Sequence, residues 1–210
     1  MTYDPLGPAD LKIGVLISGG GTTLENLIQR IRDGRLRRVS IALVISSRST
    51  VRGVQVARAA NLPLKIIRRK DFSDDAGFSA AITAALDQAG VDLAVLAGFL
   101  CHWRLPPHYE GRAINIHPAL LPRFGGRGFW GRHVHEAVLA AGVNESGCTV
   151  HLVDEQYDHG PIISQTRVPV LPGDTPESLA ARVSAAEREL YPQVIQQVAD
   201  RGLEWLQQHR

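Results

Sequence analysis

Cysteine is scarce in this chain: Cys101 and Cys148 are the only two among 210 residues. They form no CxxC pair and no metal-ligand spacing, so neither a disulfide framework nor a zinc site is expected. Reduced thiols in a cytoplasmic protein are the simplest account. Long apolar runs are also missing. None reaches the roughly 20 residues of a membrane span, and Met1-Thr2-Tyr3-Asp4-Pro5 lacks the layout of a signal peptide. There is no surplus of one charge. A net +2, with Arg68-Arg69-Lys70 and Arg35, Arg37 and Arg38 scattered as solvated clusters, does not make a nucleic-acid stripe. It remains compatible with an anionic small substrate. No repeat, low-complexity tract or domain linker interrupts the chain. The hydrophobic and charged fractions, 44% and 21%, are those of a soluble globular protein that buries its own core as one domain.

The chain is organised around Ile114-Asn115-Ile116-His117-Pro118-Ala119-Leu120-Leu121-Pro122. Ile114 and Ile116 alternate with Asn115 and His117, so the spacing predicts a strand that carries both polar side chains on one face. Pro118 removes a backbone donor and ends that strand. Polar residues at the C-terminal edge of a sheet are where open α/β folds place ligands. A second feature lies upstream, where the apolar run Leu11–Ile17 feeds Ser18-Gly19-Gly20-Gly21-Thr22-Thr23. Leu24, Leu27, Ile28 and Ile31 then fall at helical spacing. Strand, glycine loop and helix N-terminus together favour an anion, above all a phosphate. The loop is neither a Walker A sequence nor a GxGxxG.

The same alternation continues. Strands are expected at 39–45, 64–68, 92–97, 147–153 and 162–170. Helices are expected at 51–60, 72–89, 106–110, 133–141 and 176–199, with Thr175 and Glu177 at the cap of the last. Residues 1–10 read as a loose leader, and residues 123–131 as a flexible loop carrying Phe124, Phe129 and Trp130. The pattern predicts a single-domain, doubly wound α/β fold. Its sheet is mostly parallel, with an antiparallel pair near the C-terminus.

The chemistry centres on Asn115, His117 and an acid from the loop Asp154-Glu155-Gln156-Tyr157-Asp158-His159. A carboxylate on the imidazole fixes its tautomer and raises its basicity, and an amide beside it stabilises charge developing on a carbonyl oxygen. Asp154 and Glu155 are expected to be solvated. Cys101 has no obvious base, so direct attack between two bound substrates is favoured over a covalent intermediate. A metal held by His117, Asp158 and His159 or His151 lacks motif spacing, and no metal is expected.

Leu16-Ile17-Ser18-Gly19-Gly20-Gly21-Thr22-Thr23-Leu24, Ala97-Gly98-Phe99-Leu100, Asn115 through Pro122, and Val150 through Ile163 resemble the folate-dependent phosphoribosylglycinamide formyltransferases, in the same order along nearly the whole chain. The Asn-x-His-Pro-x-Leu-Leu-Pro segment belongs to the wider 10-formyltetrahydrofolate-using superfamily, and the phosphate loop narrows the likeness to the ribonucleotide enzymes. The resemblance implies a Rossmann-like fold, with residues 11–105 as a ribonucleotide phosphate-binding half and 106–200 as a catalytic and folate-binding half. It implies Asn115, His117 and Asp158 as the catalytic trio. Gly21, Thr22, Thr23 and Leu24 would hold the 5′-phosphate through their backbone, and Glu187 the ribose. Leu100, Cys101, His102, Trp103, Asn115 and Val153 would line the folate pocket. The formyl donor would be 10-formyltetrahydrofolate, and the enzyme a monomer or homodimer acting on small molecules without nucleic acid or membrane. Cys101 and Asp75 stand where one well-known member of the family carries arginines, and the loop over residues 123–132 is longer than that member's. A methionyl-tRNA formyltransferase would add a C-terminal tRNA-binding domain, and a formyltetrahydrofolate hydrolase an N-terminal regulatory domain; neither is expected here. A non-catalytic nucleotide-binding module is the remaining alternative.

Overall fold

The computed structural model describes residues 11–209, so the expected leader at 1–10 lies outside the described residues. Seven strands, β1 (Leu11–Ile17), β2 (Val39–Ser46), β3 (Leu64–Ile66), β4 (Leu93–Leu96), β5 (Ala113–His117), β6 (Glu145–Leu152) and β7 (Ile162–Pro169), form one sheet. Their order is β3-β2-β1-β4-β5-β6-β7. The first five run parallel. β6 is antiparallel to β7, as the sequence predicts, and also to β5.

The helices are α1 (Thr22–Arg32), α2 (Arg52–Ala59), α3 (Asp75–Gln88), α4 (Arg132–Ala140), α5 (Pro176–Arg201) and a short α6 (Glu204–Gln207) that the periodicity does not reveal. Several expected ends move because side chains cap them. Phe72 lies outside α3, since Asp74 accepts from the Gly77 N–H (2.7 Å) and a 3-10 turn occupies Arg69–Asp71. At α5 the partner of Thr175 is Ser178 rather than Glu177: the Ser178 N–H donates to Thr175 Oγ1 (3.2 Å) and the Thr175 N–H to Ser178 Oγ (2.9 Å). The segment expected as a helix at 106–110 is a 3-10 turn, Pro107–Tyr109.

Apolar side chains cover both sheet faces, as a central parallel sheet requires. On one face Leu24 and Leu27 of α1, Val138 of α4 and Leu179, Val183 and Ile195 of α5 meet Ile13, Val15 and Ile114. On the other, Phe78, Ile82 and Leu86 of α3 join Trp103 and Tyr109 against Leu16, Leu43 and Ala94. Pro192 sits inside α5 and cannot bond the carbonyl four residues back. That carbonyl, on Arg188, instead accepts from Asn26 Nδ2 of α1 (2.9 Å).

Two polar contacts set the geometry of the β5 exit. Fully buried Tyr191 donates its hydroxyl to the carbonyls of Leu96 (2.9 Å) and Ile114 (3.0 Å), tying α5 to β4 and β5 beside Asn115. The Thr149 hydroxyl donates to the Ala119 carbonyl (2.7 Å) and accepts from the Leu121 N–H (3.1 Å), fixing the turn after His117. Tyr191→Phe leaves the buried carbonyls without this donor, so it is expected to cost about 1–2 kcal/mol. A thermal melt should show a drop of a few degrees; an unchanged midpoint would mean that the hydroxyl carries no stability.

Candidate active site

The glycine loop places a free helix terminus at the sheet edge. Gly21 takes φ 73° and no side chain caps α1. The first bond runs from the Glu25 N–H to the Gly21 carbonyl (2.9 Å), so the N–H groups of Thr22, Thr23 and Leu24 precede it. Glu25, the acid in this turn, is held by both its oxygens on Arg52 Nη2 (2.8 and 2.7 Å), which removes a repelling charge from the terminus. A Cβ on Gly21 would stand 2.5 Å from the Gly53 Cα, so this glycine is required by packing as well as by φ. Leu24 contributes only its amide, because its side chain is fully buried in the core. Ser18 is also spent internally: its oxygen accepts from the Leu100 N–H (2.9 Å) and lies 2.6 Å from Ser47 Oγ.

At the β5 end the structure brings the sequence-predicted trio together. His117, 3% exposed, has Nδ1 3.3 Å from Asp158 Oδ2 and donates from Nε2 to the Phe124 carbonyl (2.7 Å). Both ring nitrogens thus face acceptors. Asn115 Nδ2 donates to Asp158 Oδ1 (3.3 Å) and lies 3.0 Å from His151 Nε2. His151 sits opposite Asn115 in the β5–β6 register, and its Nδ1 is directed at the Leu152 carbonyl (2.7 Å). That contact leaves Nε2 as the acceptor for Asn115. Burial pushes the Asp158 carboxyl up, but the hydrogen bond and charge of His117 and the Gly126 N–H (3.0 Å) outweigh it and hold it well below the carboxylate range. Phe124 (φ 59°) and Asp158 (φ 55°) both occupy the left-handed region, which residues with side chains seldom adopt; Arg38 and Asn61 share it away from the site.

Two cavities meet at this trio. A cleft of about 680 Å³ is lined by Gly19–Thr23, the 126–132 loop, His135, and Ala180, Ser184 and Glu187 of α5. A pocket of about 60 Å³ lies between Cys101, His102 and Trp103 on one side and Val153, Asp154 and Gln156–Asp158 on the other. Phe99, Asn115, Tyr157 and Asp158 line both. Leu100 opens on the large cleft rather than the small pocket. Trp103 is 3% exposed and donates from Nε1 to Thr83 Oγ1 (3.2 Å), making it a floor for the small pocket. His159 pairs instead with Asp154 (2.9 Å), away from His117.

The formyl transferase family matches residues 11–195. The chain belongs to that family. A phosphoribosylglycinamide formyltransferase from Haemophilus influenzae is 38% identical over 186 residues, covering 88% of this chain and 85% of that protein. The structure of glycinamide ribonucleotide transformylase 1 from Symbiobacterium toebii matches with a TM-score of 0.86 at 39% identity, over 92% of this chain and 90% of that one. A trifunctional purine biosynthetic protein from Drosophila pseudoobscura pseudoobscura is 42% identical over 195 residues, 91% of this chain. The chain spans only 14% of the length of that protein.

The acid at Asp75 forms an ion pair with Arg69, which also donates to the Phe72 carbonyl (2.9 Å). Sequence reasoning assigned no catalytic or binding role to His151, Phe124 or His135. A polar residue inside the apolar run of β6 is the signal for His151, but its partner depends on strand register. Phe124 contributes a carbonyl, which no side-chain pattern encodes.

Burial raises the Glu187 carboxyl to about 7, partly offset by the charges of His117 and Arg188. Folding therefore favours the protonated acid. Its contribution is complete below the unfolded value of about 4.3 and is lost as pH climbs through 7. Glu187→Gln should stabilise the protein by about 2–3 kcal/mol at pH 8 and hardly at all at pH 4; equal melting shifts at both would contradict this. Gly20 has open space where a Cβ would go. Gly20→Val should therefore weaken binding of a phosphorylated ligand while leaving the melting temperature unchanged, and a titration with ribose 5-phosphate checks it.

Proposed function

We propose that this chain transfers the formyl group of 10-formyltetrahydrofolate to the amine of 5-phosphoribosylglycinamide, a step of purine synthesis, by direct attack. The observation that carries the reading is the junction: Asn115 and Asp158 line both cavities, so an amine held in one meets a formyl carbon presented from the other. The volume of about 680 Å³ falls in the range of ligand clefts, roughly 300–1,000 Å³. Its uncapped α1 terminus suits the 5′-phosphate, and Glu187 the ribose hydroxyls. The pocket between Cys101–Trp103 and the 153–158 loop offers an apolar floor for a flat ring. At about 60 Å³ it has to widen, which calls for parting the His102 ring from the Glu155 carbonyl (3.0 Å) and from Tyr157.

In this reading the amine nitrogen bonds to the formyl carbon, the formyl oxygen gains charge, and the bond to the folate N10 breaks. Asn115 reaches that oxygen by giving up its longer contact, the one to Asp158. With Nδ1–H kept on Asp158, His117 gives up the Phe124 carbonyl and releases its Nε2 proton to solvent, then takes the amine proton at Nε2 and returns it to N10. Asp158 holds the ring oriented and compensates its charge. We assign the phosphate to the 11–105 half and most catalytic groups to the 106–200 half. The compartment we propose is the cytoplasm, supported by the two free thiols.

His117→Ala and Asp158→Ala should each lower kcat by about 10²–10⁴ and leave ribonucleotide affinity within about threefold. The assay follows consumption of 10-formyltetrahydrofolate with and without the ribonucleotide. Dependence on the ribonucleotide supports transfer. Consumption without it would point to a hydrolase, and wild-type turnover in either variant would remove that residue from the mechanism.

A further inference from the structure

His135 is a buried polar group without an internal purpose. It projects from α4 one position after the fully buried Val134 and is itself only 5% exposed. Its Nδ1 is enclosed and has no hydrogen-bond partner among the described residues. A buried imidazole nitrogen left unpaired lowers stability, so such groups call for an explanation. The other unpartnered buried side-chain atom, Ser146 Oγ, lines neither cavity at the β5 exit. His135 does: it lines the large cleft together with Gly19–Thr23, His117 and Glu187, and takes no part in the small pocket. Burial, reinforced by the charge of His117, lowers its pKa and so favours a neutral ring that can donate at one nitrogen and accept at the other. The charge of His117 acts on Glu187 as well, so the three groups share one region of the cleft.

We propose that His135 is a recognition residue for the amide that joins the glycyl unit to the ribose in the ribonucleotide, an inference that rests on the formyl-transfer reading above. The substrate's chemistry sets the assignment. Its phosphate belongs at the α1 terminus and its amine at His117. Only one methylene separates that amine from the amide carbonyl. A polar group beside His117 on the ribonucleotide side therefore meets the amide, whereas Glu187 is left for the sugar. The enclosed Nδ1 is closed to a ligand, so the ring meets the amide through its other nitrogen, Nε2, and that contact becomes selectivity for an amide-bearing ligand.

The test compares His135→Phe and His135→Asn with the wild type. His135→Phe should raise KM for the ribonucleotide about tenfold, the loss of one buried hydrogen bond. The kcat and the folate KM should stay within about twofold, and His135→Asn should recover part of the loss. Inhibition by ribose 5-phosphate, which has the sugar and phosphate but no amide, should be unchanged in both variants. In the wild type, the His135 ring nitrogen resonance should shift on adding the ribonucleotide and not on adding ribose 5-phosphate; this readout stands even if His135→Phe fails to fold. An unchanged KM in folded variants, or no resonance shift, overturns the proposal. A matching loss of ribose 5-phosphate inhibition also overturns it, by moving His135 to the sugar. Absence of any ribonucleotide-dependent turnover in the wild type would instead refute the formyl-transfer reading itself.

Discussion

The His117 imidazole is gripped at both nitrogens, by the Asp158 carboxylate at 3.3 Å and by the Phe124 carbonyl at 2.7 Å, and the layout of the site follows from that grip. Neither partner reaches the ring cheaply. Phe124 and Asp158 both adopt left-handed backbone, a conformation that costs of order 1–3 kcal/mol each for residues with side chains. Their two loops also approach closely at Gly125, where a Cβ would stand 2.3 Å from Leu121 Cδ2 and 3.1 Å from Asp158 Cβ, so a side chain there would require the Leu121 side chain to shift. Strain on both residues that hold one ring is consistent with a site where positioning matters more than local stability.

That ring lies where a parallel sheet gives way to an antiparallel one. β5 ends at His117, and β6 returns alongside it in the opposite direction, bringing His151 opposite Asn115 and delivering the 154–158 loop over the strand end. The reversal opens the C-terminal edge of the sheet to two cavities from different directions. Direct group transfer needs two ligands whose reacting atoms touch while their bodies stay apart, and shared walls at Asn115 and Asp158 supply that arrangement.

The two ends of the large cleft recognise charge differently. At α1 the attraction for an anion comes from backbone N–H groups and the helix dipole, with the nearby Glu25 cancelled by Arg52. Towards the trio, burial shifts Glu187 and His135 towards their neutral forms. Groups of that kind direct hydrogen bonds without adding a net charge beside the His117–Asp158 pair.

Much of this was legible in the residues alone. The strand–glycine-loop–helix unit, the succession of strands and helices and the Asn115/His117 pair on one strand face depend on local periodicity, on glycine freedom and on where proline stops a strand. All are properties of short segments. Asp158 was identifiable through the family resemblance, although two intervening elements, α4 and β6, bring it to His117. What the chain order could not decide was register and reach. His151 becomes a partner of Asn115 only through antiparallel pairing, and Phe124 acts through a carbonyl that every residue possesses. Leu24 turns its side chain into the core and leaves only its amide at the helix terminus. His135 looks like one more helical residue until folding buries its nitrogen beside the cleft. Local sequence specified the segments. Long-range packing decided which atoms face one another, because strand register, backbone strain and burial arise only between segments.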